Sequence, residues 1–132
     1  MAEPLSIFAS CASIGKAIVN VTKSATNFFG RVRRAENDLK YFKEGLDSLG
    51  LVLDRVSDID FKVGFDNVPE YKGDVEQLVK SCECTVKEME KAMKGMTKTT
   101  WVNTGKEQIS ELQNILEAHK SSLSLVLQAI TM

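Results

Sequence analysis

The sequence has few of the residues that usually carry catalysis or bind cofactors. Its 132 residues include one histidine, three cysteines, two prolines and one tryptophan. It contains no Gly-rich phosphate loop, no Ser/His/Asp set and no EF-hand pattern. Because the chain offers no catalytic constellation, we expect a protein that is not an enzyme and that needs no cofactor.

Cysteine is scarce, and the number is odd. Cys11, Cys82 and Cys84 occur in a chain whose opening, Met-Ala-Glu-Pro, lacks the basic region of a secretory signal. We therefore interpret them as reduced thiols of a cytosolic protein. Cys82 and Cys84 resemble half of a metal site, but residues two apart on a helix face in different directions. Because no second Cys/His pair accompanies them, we predict neither a disulfide nor a metal site.

Charge of neither sign dominates the chain. The net charge is −1 and the isoelectric point is near 5.9, so the basic footprint of a nucleic-acid-binding protein is missing. One local exception is the basic stretch of Arg31, Arg33 and Arg34. These three arginines are candidates to meet anionic lipid head groups, at about 1 kcal/mol per basic residue near a membrane surface.

No apolar run is long enough to cross a bilayer. The uncharged run from Pro4 to Gly15 is much shorter than the roughly 20 residues that a transmembrane helix needs. Lys16 and Lys23 follow it, and a lysine at the bilayer centre costs about 2.5–3.5 kcal/mol. The sequence therefore indicates a soluble domain whose first helix is still compatible with a membrane.

What the sequence does contain is helical periodicity, most clearly in residues 4–30. Apolar residues recur there every three or four positions, as on one face of a helix. The other side carries small or mildly polar residues such as Ser10, Ser13 and Ala17, and its only charges are the two lysines. The stripe consists of Ile7, Cys11, Ile14, Ile18, Val21, Ala25 and Phe28, widened at its start by Leu5 and Phe8.

Three further segments show the same period. Between the second and third periodic segments, residues 57–68 lose the period, which predicts a connection packed on the bundle, with room for a short extra helix. Capping-box sequences beginning at Asn67 and at Thr104 predict where the last two helices start. The further periodic segments are 32–56, 71–96 and 109–130.

These patterns predict an all-α fold, an antiparallel bundle of four main helices in a single domain over residues 1–132. Trp101 is predicted to fold back as a lid on one end of the core, or alternatively to be an exposed anchor for a partner. His119 is either a hydrogen-bonded residue at the bundle edge or a functional group. The shared register predicts burial of Ile14, Ile18, Leu39, Leu46, Leu78, Leu112, Leu116 and Leu123.

The residues also resemble a known family. The opening Met1–Ile7, the helix around Leu49 and Leu53, and Trp101 leading into the Ile109–Leu123 helix are similar to the N-terminal domains of fungal NLR-like (STAND) proteins. The resemblance covers essentially the whole chain. It is strongest to the HeLo-like group, which includes domains named after an azaphilone pigment cluster protein.

The resemblance implies a helical bundle that executes or signals regulated cell death in fungal innate immunity and incompatibility. It implies that the N-terminal helix acts on membranes once the domain oligomerises. It also implies that this domain is the N-terminal part of a longer protein, with a regulatory or sensor region on its C-terminal side. The domain would be cytoplasmic at rest and at the plasma membrane on activation.

Two functions stay open at this point. We favour a membrane-targeting cell-death effector that associates with itself and with anionic membrane lipids, without a nucleic-acid partner. The alternative is a homotypic interaction module of an NLR-like receptor, in which the first helix never leaves the core. The residues predicted for the membrane-active helix are Leu5, Ile7, Phe8, Ile14, Lys16, Ile18, Val21, Lys23, Phe28 and Phe29.

Overall fold

Four long helices make up most of the protein. The computed structural model describes residues 6–32 and 36–131, and no strand occurs in these two ranges. The prediction of an all-α bundle is therefore confirmed. The helices are α1 (Ser6–Phe29), α2 (Glu36–Lys62), α3 (Pro69–Lys94), the single turn α4 (Lys98–Thr100) and α5 (Lys106–Thr131).

The long helices close into a ring around one core. Helix α1 packs against both α2 and α3, and α5 packs against both as well. Phe29 at the end of α1 meets Phe42 near the start of α2, with ring centroids 6.2 Å apart. The antiparallel direction of the helices across the whole bundle stays a prediction.

The connection between α2 and α3 is shorter than predicted. Residues 57–62 lack a clear apolar period, yet they continue α2 to Lys62. Within them Ile59 is buried, and the exposed side chains of Asp58 and Lys62 pair at 3.2 Å. The short extra helix is a single 3₁₀ turn, Phe65–Asn67, and Phe65 packs into the core.

Both predicted capping boxes are wrong. The Nδ2 atom of Asn67 donates to the carbonyl oxygen of Val63 at 2.6 Å and does not cap α3. It braces the turn at Gly64, where the backbone takes a φ of 82°, a conformation that favours glycine. An asparagine next to such a turn hydrogen-bonds locally instead of continuing into the helix.

The last helical segment starts earlier than Thr104. The Oγ1 atom of Thr97 accepts a hydrogen bond from the backbone N–H of Thr100 at 3.1 Å, so the helix is capped there and begins at Lys98. It continues through a π-helical turn, Trp101–Gly105, directly into α5. In a π-helical turn the hydrogen bonds join residues five apart in the chain, compared with four apart in an α-helix.

The core prediction holds for five of the eight residues. Ile14, Leu46, Leu112, Leu116 and Leu123 are buried. The other three are only partly buried at the edge of the core, which makes the prediction wrong for them: Ile18, Leu39 and Leu78.

Two of these three errors are local shifts by one position, because the predicted residues that follow, such as Val21 in α1 and Cys82 in α3, are buried again. In α1 the neighbouring Ala17 is buried in place of Ile18, and in α3 Val79 is buried in place of Leu78. Leu39 lies in the first turns of α2, near the end of the bundle.

Candidate functional site

Helix α1 lies in the bundle with most of its apolar stripe turned inward. Ile7, Ile14, Val21 and Phe28 are buried, and so is Phe29. These residues form one side of the core between α2 and α3. The predicted membrane-active helix is therefore a buried structural element in this conformation.

Two of the predicted residues are placed differently, and three others lie outside the described residues. Ile18 is half-buried, as noted above. Phe8 is 58% exposed, so the prediction that it widens the buried stripe is wrong. Leu5 lies outside the described residues, as do Arg33 and Arg34 of the predicted lipid-contacting stretch.

The outward face of α1 carries very little charge. Lys16 and Lys23 are both exposed, and they are the only charged residues in the helix, which contains no acid. Helices α2 and α3, in contrast, carry acidic and basic residues along most of their length. Among the long helices of the described ranges, α1 therefore exposes the fewest charged groups to water.

One carboxylate from α3 holds the N-terminal half of α1. Glu83 accepts hydrogen bonds from the hydroxyls of Ser10 and Ser13. It also pairs with Lys87 at 3.0 Å, and its side chain is only 20% exposed. The two serines are half-buried against α3, so their predicted place on the outward side of α1 is wrong, as is that of Ala17.

The environment of Glu83 favours its charged form. Burial raises the pKa of this carboxyl, but the hydrogen bond from Ser13 and the hydrogen bond and charge of Lys87 lower it, with a further contribution from Ser10. The net result is a pKa below the usual value. The contact is thus a tie between an ionised carboxylate on α3 and two hydroxyls on α1.

An aromatic cluster holds the other end of α1. Trp101, 8% exposed, packs edge-on against Phe28 and Phe29, with ring centroids 5.7 Å and 5.0 Å away. The two phenylalanines contact each other at 5.2 Å. Such edge-to-face pairs contribute about 0.5–1.5 kcal/mol beyond the area they bury. The prediction that Trp101 covers one end of the core is confirmed.

Two open grooves border α1. A groove of about 280 Å³ lies between α1 and α2, where Gly15 and Gly50 leave space, and Phe8 lines it. A larger groove of about 410 Å³ lies at the C-terminal end of α1. The residues that line this second groove, named here the end groove, are Phe28, Arg31, Val32, Met96, Thr97 and Lys98.

The thiols and the histidine do not assemble into a reactive centre. Burial raises the pKa of Cys11 to about 11, with smaller contributions from Asp60, Asp54 and Glu83. Burial likewise raises the pKa of Cys82 to about 11, with a contribution from Cys11. Thiols with such values stay protonated and unreactive at neutral pH.

The remaining candidates lie on different helices. Cys84 is exposed on α3, and His119 is half-buried on α5. Within residues 6–32 and 36–131, no three or more His, Cys, Asp or Glu residues come close enough together to hold a metal ion.

None of the helices in the described ranges combines the length and the apolar character needed to cross a membrane. Comparison of the chain with protein-family profiles, curated proteins and solved structures finds no match.

Proposed function

We propose that this domain is a membrane-targeting effector that acts without enzymatic chemistry, and that α1 is its active segment. On activation α1 leaves the bundle, several copies associate, and their α1 helices insert together into an anionic membrane. The outcome is regulated cell death, as in the HeLo-like domains that the sequence resembles. The domain rests in the cytoplasm and acts at the plasma membrane.

The observation that carries the proposal is the distribution of charge on α1. A helix that only completes a bundle can carry charged residues all over its outward face. A helix that must also enter an apolar phase cannot, because each charge in hydrocarbon costs several kcal/mol. Helix α1 has an apolar buried stripe and an outward face on which Lys16 and Lys23 are the only charged groups.

The energetics of release are compatible with this function. Taking α1 out of the bundle exposes five large apolar side chains, each worth about 1.5–3 kcal/mol when buried. A bilayer removes the same side chains from water, so membrane entry offsets most of that cost. The side chains are Ile7, Ile14, Val21, Phe28 and Phe29.

Insertion requires several copies because of the two lysines. Helix α1 has 24 residues, which at about 1.5 Å per residue is long enough for a hydrocarbon core of roughly 30 Å. In a single copy Lys16 and Lys23 would lie in hydrocarbon. In an oligomer the apolar stripe faces lipid while the serines, asparagines and lysines line water.

A second candidate function rests on the groove between α1 and α2. Phe8 is 58% exposed beside that groove, and an exposed aromatic side chain at a groove is typical of protein–protein contacts. In this alternative α1 stays in the core, and the domain associates with a second copy or with a partner. The two functions differ in whether α1 must leave the bundle.

Vesicle leakage tests the proposal. We expect the wild-type domain to release dye from vesicles containing phosphatidylglycerol and to spare vesicles of phosphatidylcholine alone. The double variant Lys16→Ala/Lys23→Ala leaves the buried stripe unchanged. Because the two lysines line the water-filled side of the oligomer, the variant should alter leakage or lipid selectivity without unfolding the domain.

A matched control removes two exposed lysines from α3, as Lys80→Ala/Lys91→Ala. This control should keep much of the wild-type leakage because its charges lie outside α1. Equal leakage by the two double variants would contradict the role of α1, and no leakage by the wild type would favour the interaction module.

A further inference from the structure

The end groove combines an apolar floor with a basic rim. Phe28 and Met96 are buried at its floor, 3% and 7% exposed, and Val32 is half-buried beside them. Arg31 and Lys98 are exposed at its edges and come from different parts of the chain. At about 410 Å³ the groove falls within the size range of small-molecule sites.

The charge around the end groove is of one sign. Both charged residues that line it are basic, and among the residues that the structure describes no acidic side chain lines it. Arg31 is oriented by a hydrogen bond from its Nε to the carbonyl oxygen of Asn27 at 3.2 Å. A guanidinium held in this way is suited to an anionic oxygen, because it has further N–H donors in a fixed plane.

The two properties together select one class of ligand. An inorganic anion has nothing to place on the apolar floor, and a neutral hydrocarbon has nothing to pair with the two cations. We propose that the end groove binds one anionic phospholipid, with its head group between Arg31 and Lys98 and its acyl chain over Phe28, Val32 and Met96. This inference rests on the proposed membrane function and names the lipid site that would serve it.

The position of the groove connects lipid recognition to α1. Phe28 belongs to the floor of the end groove and also to the aromatic cluster with Trp101. An acyl chain on the floor therefore contacts the residue that anchors the C-terminal end of α1. Lys98 and Met96, which the sequence analysis did not connect with lipid, are part of the same site.

Titration with short-chain lipids tests the site without a membrane. Dihexanoyl phosphatidylglycerol, kept below its micelle concentration, should bind at least 10-fold more tightly than dihexanoyl phosphatidylcholine or inorganic phosphate. Trp101 is the only tryptophan, so its fluorescence reports binding, and calorimetry gives an independent affinity. The variant Arg31→Gln/Lys98→Gln should bind dihexanoyl phosphatidylglycerol at least 10-fold more weakly. The control Lys80→Gln/Lys91→Gln should keep the wild-type affinity.

The outcomes separate this inference from the proposed function. Equal binding of phosphate and phosphatidylglycerol would overturn the lipid site, because the floor would then contribute nothing. Unchanged binding by Arg31→Gln/Lys98→Gln, with circular dichroism showing an intact fold, would overturn it as well. If the wild type releases dye from anionic vesicles but binds no short-chain lipid, the proposed lipid site is wrong and the membrane function stands. If it binds the short-chain lipid but releases no dye, the lipid site stands and the membrane function is wrong.

Discussion

Leu116 and Ile115 show how sharply burial changes between neighbouring residues of α5. Leu116 is 4% exposed and Ile115 is 46% exposed. Leu116→Ala should lower the free energy of unfolding by about 2–5 kcal/mol, because it removes apolar contacts and leaves a cavity. Ile115→Ala is the matched control and should lower the free energy of unfolding much less. Chemical denaturation measures both, and a loss below about 0.5 kcal/mol for Leu116→Ala would contradict the assigned core.

Glu83 is the residue whose charge ties α3 to α1. Glu83→Gln keeps the shape of the side chain but removes the charge that the Ser13 hydroxyl and Lys87 stabilise. We expect it to destabilise the domain by about 1 kcal/mol at neutral pH. Glu88→Gln, at an exposed position on the same helix, should change stability far less. Urea denaturation at pH 7 compares the two variants.

The pH dependence of this difference follows from the direction of the pKa shift. The pKa of Glu83 is lower in the folded protein than its usual value of 4.5. The stability that the ionised Glu83 carboxylate gives the fold is therefore fully present above about pH 4.5. It is lost as the pH falls through the lower pKa that Glu83 has in the folded protein. The stability gap between the wild type and Glu83→Gln should narrow in that acidic range. A gap that widens there would contradict the assigned ionised contact.

At the level of single residues, the sequence predicted large apolar side chains better than small ones. Ile14, Val21 and Phe28 follow the helical period and are buried. Ser10 and Ser13 are too small and too weakly polar for the period to assign, and their burial depends on how closely α3 approaches. Glu83 was missed for a related reason, since a charged residue on a helix normally faces water.

At the level of whole helices, the interiors were predictable and the ends were not. Periodicity identified all four long helices, because a stripe of many residues is a strong signal. The ends depend on single hydrogen bonds, such as the one from the Thr100 N–H to Thr97. The residues from Thr104 match the sequence pattern of a capping box. They do not start a helix, because the helix that begins at Lys98 already provides hydrogen-bond partners for the backbone N–H groups at that position.

The π-helical turn before α5 depends on close packing at Gly105. A Cβ atom there would lie 2.5 Å from the Sδ of Met96 and 3.1 Å from the backbone oxygen of Thr100. Gly105→Ala should therefore cost about 1–3 kcal/mol. Gly73→Ala, in α3 where nothing lies within 4 Å, should instead stabilise the domain by about 0.5–1 kcal/mol. Thermal unfolding of both variants is the measurement, and equal effects would show that the close packing is absent.

At the level of the whole molecule, the neighbours of α1 were the least predictable feature. A buried stripe identifies the face that packs inward, but it does not say which helices cover that face. The contacts that hold α1 combine the stripe, the tie from Glu83 and the aromatic cluster around Trp101. These contacts make α1 an integral part of the resting bundle, and the proposed function requires that it can leave.

Locking α1 in place tests this requirement most directly. Ser13→Cys/Glu83→Cys, joined by a short reducible thiol cross-linker, ties α1 to α3 at residues that contact each other. Cys84→Ser removes the exposed native thiol. The matched control, Ser48→Cys/Lys120→Cys, ties α2 to α5 and leaves α1 free. In the wild type the Nζ of Lys120 donates to the Oγ of Ser48 at 2.8 Å.

The measurement is leakage of phosphatidylglycerol vesicles by each cross-linked protein, before and after reduction. We expect the α1–α3 link to abolish leakage, a reductant to restore it, and the α2–α5 link to leave leakage at the level of the reduced protein. Undiminished leakage from the fully cross-linked α1–α3 protein would contradict the release of α1, because α1 would then act on membranes without leaving the bundle.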